Sequence, residues 1–139
     1  MIFKFEDFNR ESLKLKEKML FLFHGSNQGK LDDCANLMID LKKEEMDIEV
    51  IRLYSEELKK GELTKVFNEN CSLNIFGTQV VLNLYINSEK IGKELISLVS
   101  NIETSNLIVI IKSDQLPPKS SIRSFFEKSE NAICVPCYE

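Results

Sequence analysis

Short, almost continuous apolar runs alternate along the chain with longer segments in which apolar residues recur every three or four positions. The runs lie at 19–23, 48–53, 78–86, 107–111 and 132–135. Runs of this kind predict strands that are buried on both faces, as in a parallel sheet. Because helical segments separate them, we expect a three-layer α/β fold, a five-stranded parallel sheet with helices on both faces.

The helical segments follow from the spacing of their apolar residues. The first stripe consists of Leu31, Cys34, Ala35, Met38 and Leu41. A helix start at Lys30 would put Asp32 and Asp33 in the first turn, where the helix dipole favours acidic side chains. A second helix is expected from Ser55, with an interruption at Gly61.

Two further helices are expected in the second half of the chain. Ser88 is a suitable cap for a helix whose apolar positions are Ile91, Leu95, Leu98, Val99 and Ile102. The last helix is short, and we expect Pro117 and Pro118 in its first turn. Because the sequence contains no internal repeat or linker, we expect residues 1–139 to form one domain.

Composition narrows the class of protein. The 139 residues include 18 basic and 22 acidic side chains, for a net charge of −4. This balance argues against a domain whose whole surface binds nucleic acid. The sequence has no apolar run of about 20 residues, as a membrane span would need. The first residues lack the pattern of a signal peptide, so we expect a cytoplasmic protein with no membrane partner.

The four cysteines are expected to be reduced thiols. They are Cys34, Cys71, Cys134 and Cys137. Cys134 and Cys137 have the two-residue spacing of redox and zinc sites, but a zinc ion would need two more ligands. His24 is the sole histidine. We therefore favour ordinary thiols over a zinc or redox site, and expect no metal.

The loop after the first predicted strand resembles the phosphate loop of P-loop nucleotidases, G-x-x-x-x-G-K-[ST]. Gly25, Gly29 and Lys30 match its glycines and lysine. The loop is one residue short, however, and Leu31 replaces the hydroxyl residue that would hold magnesium. We interpret these residues as a degenerate, inactive nucleotide-binding loop that serves as a tight strand-to-helix turn.

The acidic residue that would support magnesium is also misplaced. Asp114 comes two positions after the predicted end of the strand at Ile111. Two departures of this kind disfavour ATP hydrolysis. We expect no catalytic residue and no cofactor, and interpret His24 as structural. The alternative is a small P-loop NTPase or nucleotide kinase that uses the Gly25–Lys30 loop. A receiver-type domain would need an acidic cluster, of which only Asp114 is present.

An apolar loop between the second helix and the third strand is not explained by the core. It contains Leu73, Ile75 and Phe76 between Asn70 and Gly77. These side chains could pack beneath the domain as a small separate cluster. Alternatively, Ile75 and Phe76 could project as an anchor for the pocket of another protein. The spacing alone leaves both interpretations open.

Several stretches resemble the amino-terminal domain of the delta subunit of bacterial DNA polymerase III, a component of the sliding-clamp loader. The stretches are Met1–Phe5 with Phe8, Phe21–Asn27, Leu73–Leu82 and Ala132–Pro136. The resemblance implies an AAA+-like domain without ATPase activity, a non-catalytic subunit of a DNA-directed DNA polymerase holoenzyme. It also implies that Ile75 and Phe76, with Leu73 nearby, bind the beta sliding clamp and help to open its ring. Isoleucine at position 75 departs from the leucine of the family.

Members of that family are longer than this chain. They carry a helical lid domain and a carboxy-terminal collar, which are absent from these 139 residues. The resemblance therefore implies that contacts with the other clamp-loader subunits are made through the missing domains. DNA would be contacted only indirectly or in the assembled complex, and the isolated domain would be monomeric.

Overall fold

A computed structural model describes residues 1–71, 77–100 and 107–138. The strands of this part are β1 Leu20–His24, β2 Ile48–Tyr54, β3 Gln79–Ile86, β4 Leu107–Ser113 and β5 Ala132–Pro136. The α-helices are α1 Phe5–Leu15, α2 Gln28–Lys43, α3 Glu62–Asn70, α4 Glu89–Ser100 and α5 Ser121–Lys128. A short 3₁₀ helix, Ser55–Glu57, follows β2.

The strands form one sheet in the order β2-β3-β4-β1-β5, and every neighbouring pair is parallel. The predicted three-layer α/β fold is therefore confirmed. The order differs from the 2-1-3-4-5 arrangement of flavodoxin-like proteins, the class that includes receiver domains. The receiver-type alternative is wrong for this reason.

Helices cover both faces of the sheet because alternate residues of each strand point to opposite sides. On β1, Phe21 and Phe23 pack in the core layer beneath α1 and α2. Leu20 and Leu22 pack in the layer beneath α3, α4 and α5. The chain therefore turns to one face after β1 and to the other face after β4, although β1 and β4 are neighbours.

Side-chain caps fix the starts of two helices, and a glycine precedes the start of a third. The Asn27 side chain accepts a hydrogen bond from the Lys30 amide at 3.1 Å at the start of α2. Ser88 accepts one from the Ile91 amide at 3.2 Å, so the predicted cap of α4 is confirmed. Gly61, with a φ of 82°, separates the 3₁₀ helix from α3, which confirms the predicted interruption.

The boundaries of α2 and α5 differ from the prediction. With Asn27 as its cap, α2 begins two residues earlier than Lys30, and Asp32 and Asp33 consequently lie beyond its first turn. Ser120 caps α5, so Pro117 and Pro118 precede this helix instead of forming its first turn. In both cases the side chain that accepts the first free amide decides where the helix starts.

The pattern of apolar residues predicts no element over the residues that form α1. The buried residues of this helix are Phe8, Ser12 and Leu15. Because a serine interrupts the apolar stripe, the helical period is weak in the sequence. A bridge between Ile2 and Cys134 of β5 holds the segment before α1 against the edge of the sheet.

Candidate functional site

The carboxyl ends of β1 and β4 are the candidate position for a ligand in this sheet. In open parallel sheets, ligands bind where neighbouring strands lead into helices on opposite faces. His24 ends β1 and Ser113 ends β4, and these two residues are partners in the sheet register. The loop from Gly25 to Asn27 and the residue Asp114 therefore define the crevice.

Gly25 is required by the packing of the chain after β5. Its φ is 150°, and a Cβ atom at this position would lie only 2.0 Å from the carbonyl oxygen of Cys137. The Cys137 amide in turn donates to the His24 carbonyl oxygen at 2.6 Å. A side chain at position 25 would separate these two backbones, so this glycine has a structural role.

Two amides of the loop Gly25–Asn27 already have acceptors within the protein. The Gly25 amide donates to the Ser113 carbonyl at 3.1 Å, and the Asn27 amide donates to the Cys137 carbonyl at 3.2 Å. A phosphate loop works because its successive amides converge on the ligand. These amides instead join β1 to the ends of β4 and β5.

Lys30 is also engaged away from the crevice. Its ammonium nitrogen donates to the Tyr138 carbonyl at 2.8 Å and lies 4.9 Å from the centroid of the Phe5 ring. Gly29 lies in the first turn of α2, and Leu31 is fully buried in the core. The three predicted loop residues, Gly25, Gly29 and Lys30, thus lie close in sequence but do not form a cradle.

Asp114 lies closer to the sheet than predicted. Because β4 extends to Ser113, this carboxylate directly follows its strand. It accepts a hydrogen bond from Gln28 Nε2 at 2.8 Å and another from the hydroxyl of Tyr85. Gln28 Nε2 also lies 3.0 Å from the Tyr85 hydroxyl. No pattern in the sequence points to Gln28 or to Tyr85 of β3 as a partner of Asp114.

The environment of Tyr85 makes its hydroxyl a donor. Burial raises the pKa of Tyr85, and the hydrogen bond to the Asp114 carboxylate raises it further. The hydroxyl therefore stays protonated near neutral pH and holds the carboxylate in place. These hydrogen bonds order the crevice.

His24 is fully buried between the sheet and α5. Burial lowers its pKa to about 4, and the positive charge of Arg123 lowers it further, against a smaller opposing effect of Glu127. Neither ring nitrogen has a hydrogen-bond partner within the described residues. The ring is fully buried, and its structural role stays a prediction.

The two cysteines of the Cys134-Val135-Pro136-Cys137 sequence do not face each other. Cys134 belongs to the core layer beneath α5, whereas Cys137 belongs to the layer beneath α2. The Sγ atom of Cys137 lies 4.0 Å from that of Cys34 in α2. In the described ranges, no three histidine, cysteine or acidic side chains are grouped to hold a metal ion.

The residues predicted to bind the clamp, Leu73, Ile75 and Phe76, lie outside the described residues. The residues that frame this segment are described. Cys71 follows the end of α3, and Gly77 has a φ of 74° shortly before β3. The described chain resumes at the amino end of β3, whereas the loop Gly25–Asn27 follows the carboxyl end of β1.

Comparisons with known proteins do not assign the chain to a family. No protein-family model matches the sequence, and a search of curated proteins finds no significant match. Among the helices in the described part of the chain, none has the length and apolar character needed to cross a membrane.

Proposed function

We propose that this chain is a non-catalytic binding module, the clamp-opening subunit of a bacterial replication clamp loader. The observation that carries the proposal is the apolar sequence Leu73-Asn74-Ile75-Phe76-Gly77 before the strongly apolar β3. The same stretch carries the resemblance to the delta subunit of DNA polymerase III. The order of the strands is compatible with the AAA+-like fold that the resemblance implies.

The geometry of the first loop supports a role that does not involve ATP. The Lys30 ammonium is 2.8 Å from the Tyr138 carbonyl, and the Asn27 amide donates to the Cys137 carbonyl. A bound triphosphate would have to displace both contacts before it gained any of its own. ATP would then be bound and hydrolysed by other subunits of the assembly.

Ile75 and Phe76 would be the contact with the beta sliding clamp. An aromatic residue next to an aliphatic one makes an efficient anchor, since burial of each side chain contributes about 1.5–3 kcal/mol. The mechanism would be differential binding: the module holds an open or strained arrangement of the ring more tightly than the closed one. The equilibrium of the ring then shifts toward the open state by the difference between the two affinities.

Calorimetric titration with the beta clamp of the same organism tests the contact. Phe76→Ala is expected to lower the affinity about 30-fold, which corresponds to about 2 kcal/mol. Leu13→Ala is the matched control, because Leu13 is an apolar side chain that is 64% exposed on α1. Its clamp affinity should equal that of the unmodified chain.

The thermal stability of the same variants separates an anchor from a core residue. If Phe76 is an anchor, Phe76→Ala unfolds at the same temperature as the unmodified chain. A large fall in Tm together with unchanged clamp affinity would mean that Phe76 packs in the domain, and the proposal would be wrong. Tight binding of ATP with magnesium at the Gly25–Lys30 loop would favour the NTPase alternative.

A further inference from the structure

A polar cleft lies on the α2 side of the sheet, at the carboxyl ends of β2, β3 and β4. On each strand, the apolar residues that face α2 give way to polar or aromatic ones near this end. In the sheet register Arg52 is next to Asn83, Tyr54 is next to Tyr85, and Tyr85 is next to Lys112. With Asp32 and Asn36 of α2, these residues line a cleft of about 300 Å³.

The cleft is open because α2 does not extend over it. The helix packs mainly on β1 and β4, so the ends of β2 and β3 on this face are left uncovered. A volume near 300 Å³ is at the lower end of the range for small-molecule sites. It is separate from the contacts of Lys30, which are with Tyr138 and Phe5 on the other side of α2.

Asn83 lies on the floor of the cleft with an unused hydrogen-bond acceptor. The residue is only 5% exposed, and its Oδ1 atom has no partner within the described residues. A buried amide oxygen without a donor is costly. Asn83 also interrupts the apolar residues of β3, where a hydrophobic residue would pack at no such cost. Turned toward the cleft, this oxygen would be satisfied by a ligand that brings an N–H group.

The charges around the cleft are arranged asymmetrically. Lys112 is 15% exposed and pairs with Asp32 at 2.9 Å, and the Asp114 carboxylate accepts hydrogen bonds from Tyr85 and Gln28. Arg52 on β2 is exposed and forms no ion pair with a carboxylate in the described part of the chain. An anionic group would therefore be attracted to the β2 side of the cleft.

Two aromatic rings complete the site. The rings of Tyr54 and Tyr85 are tilted by 34°, with centroids 6.3 Å apart, and Tyr54 is 50% exposed. Rings of this kind provide a surface on which a planar group can stack. The site thus combines a stacking surface, an acceptor for N–H and a free guanidinium within one small cleft.

We infer that this cleft binds a nucleotide unit of mononucleotide size. The base stacks on Tyr54 and donates an N–H to Asn83 Oδ1, while the phosphate is bound by Arg52. The unit could be a free nucleoside monophosphate or one nucleotide of a single strand, which share this chemistry. The inference is independent of clamp binding, since the cleft and the Leu73–Phe76 segment involve different residues.

Titration of the ¹⁵N-labelled chain with adenosine 5′-monophosphate, monitored by NMR, tests the inference. We expect saturable shifts with a Kd below about 1 mM, concentrated at Arg52, Asn83 and Tyr85. Adenosine and ribose 5-phosphate each lack one half of the ligand and should bind at least ten times more weakly. A short oligothymidylate that binds more tightly than the mononucleotides, with the same residues shifted, would identify the source as a single strand.

Variants separate a ligand role from a structural one. Arg52→Gln should weaken the binding of adenosine 5′-monophosphate about tenfold without changing the binding of adenosine, whereas Lys43→Gln at the end of α2 should change neither. Asn83→Leu should abolish binding and raise Tm, because it removes an unsatisfied buried oxygen. Any one of three results would overturn the inference. These are the absence of shifts at 5 mM adenosine 5′-monophosphate, about equally strong binding of ribose 5-phosphate, and shifts confined to Gly25–Lys30.

Discussion

Two glycines in the same loop should respond in opposite ways to alanine. In a working phosphate loop, both glycines serve the approach of the ligand. Here Gly25 serves the packing of the chain after β5, whereas Gly29 lies in an ordinary turn of α2. We therefore predict that Gly25→Ala strongly destabilises the protein in the absence of any nucleotide, and that Gly29→Ala does not.

The size of the Gly25→Ala effect follows from the contacts around it. A Cβ atom 2.0 Å from the Cys137 carbonyl oxygen must move this backbone away. The movement breaks the hydrogen bonds from the Asn27 amide and from the Cys137 amide, worth about 1 kcal/mol each. The φ of 150° adds strain of about 1–3 kcal/mol for a residue with a side chain. We expect a loss of about 3 kcal/mol or more.

Gly29→Ala is the matched control. The closest atom to a Cβ at this position is Asn27 Oδ1 at 3.4 Å, an ordinary contact distance. Since alanine loses less backbone entropy than glycine on helix formation, the variant should be about 0.5 kcal/mol more stable than the unmodified chain.

Urea unfolding monitored by circular dichroism measures the free energy of unfolding of both variants, and thermal unfolding measures their Tm. For 139 residues the unfolding entropy near the midpoint is about 0.3 kcal/mol/K, so the loss in Gly25→Ala corresponds to a fall in Tm of about 10 °C. The reasoning would be refuted if the free energies of unfolding of Gly25→Ala and of the unmodified chain differed by less than about 0.5 kcal/mol, an uncertainty typical of such measurements.

Two other predictions concern buried titratable groups. Because burial lowers the pKa of His24 from 6.5 to about 4, its contribution to stability is complete above pH 6.5 and is lost as the pH falls toward 4. From this group alone, the chain should be about 2 kcal/mol less stable at pH 5 than at pH 7. Urea unfolding of His24→Phe at the two pH values should no longer show this difference. An unchanged difference would contradict the predicted effect of His24. Oxidation with diamide, which takes up the two electrons and two protons of a thiol pair, should join Cys34 to Cys137, because their Sγ atoms are 4.0 Å apart. Peptide mapping should find this disulfide in Cys134→Ser and not in Cys137→Ser, and a Cys134–Cys137 disulfide would refute the placement of these residues on opposite faces.

The fold could be predicted because its strands are almost uniformly apolar. Every predicted strand is present, with ends that differ by at most two residues. The unpredicted α1 has a stripe broken by Ser12, and the shifted starts of α2 and α5 depend on caps by Asn27 and Ser120. A period in hydrophobicity does not contain information of this local kind.

The environment of the first loop could be predicted only in part. The shortened spacing and Leu31 already argue against a magnesium site. The contact of Gly25 with Cys137, and that of Lys30 with Tyr138, join residues more than 100 positions apart, which no local pattern reveals. The same holds for the cleft around Asn83, although a polar residue inside a buried strand is a signal that sequence analysis can use.

A fluorescence assay of ring opening tests the proposed clamp-opening function most directly. Fluorophores that quench each other can be attached on either side of one interface of the beta clamp. The account predicts that fluorescence rises and saturates as the chain is added without ATP, and that Phe76→Ala removes the rise while Leu13→Ala preserves it. Binding to the clamp without any rise, or an equal rise with Phe76→Ala, would contradict the account.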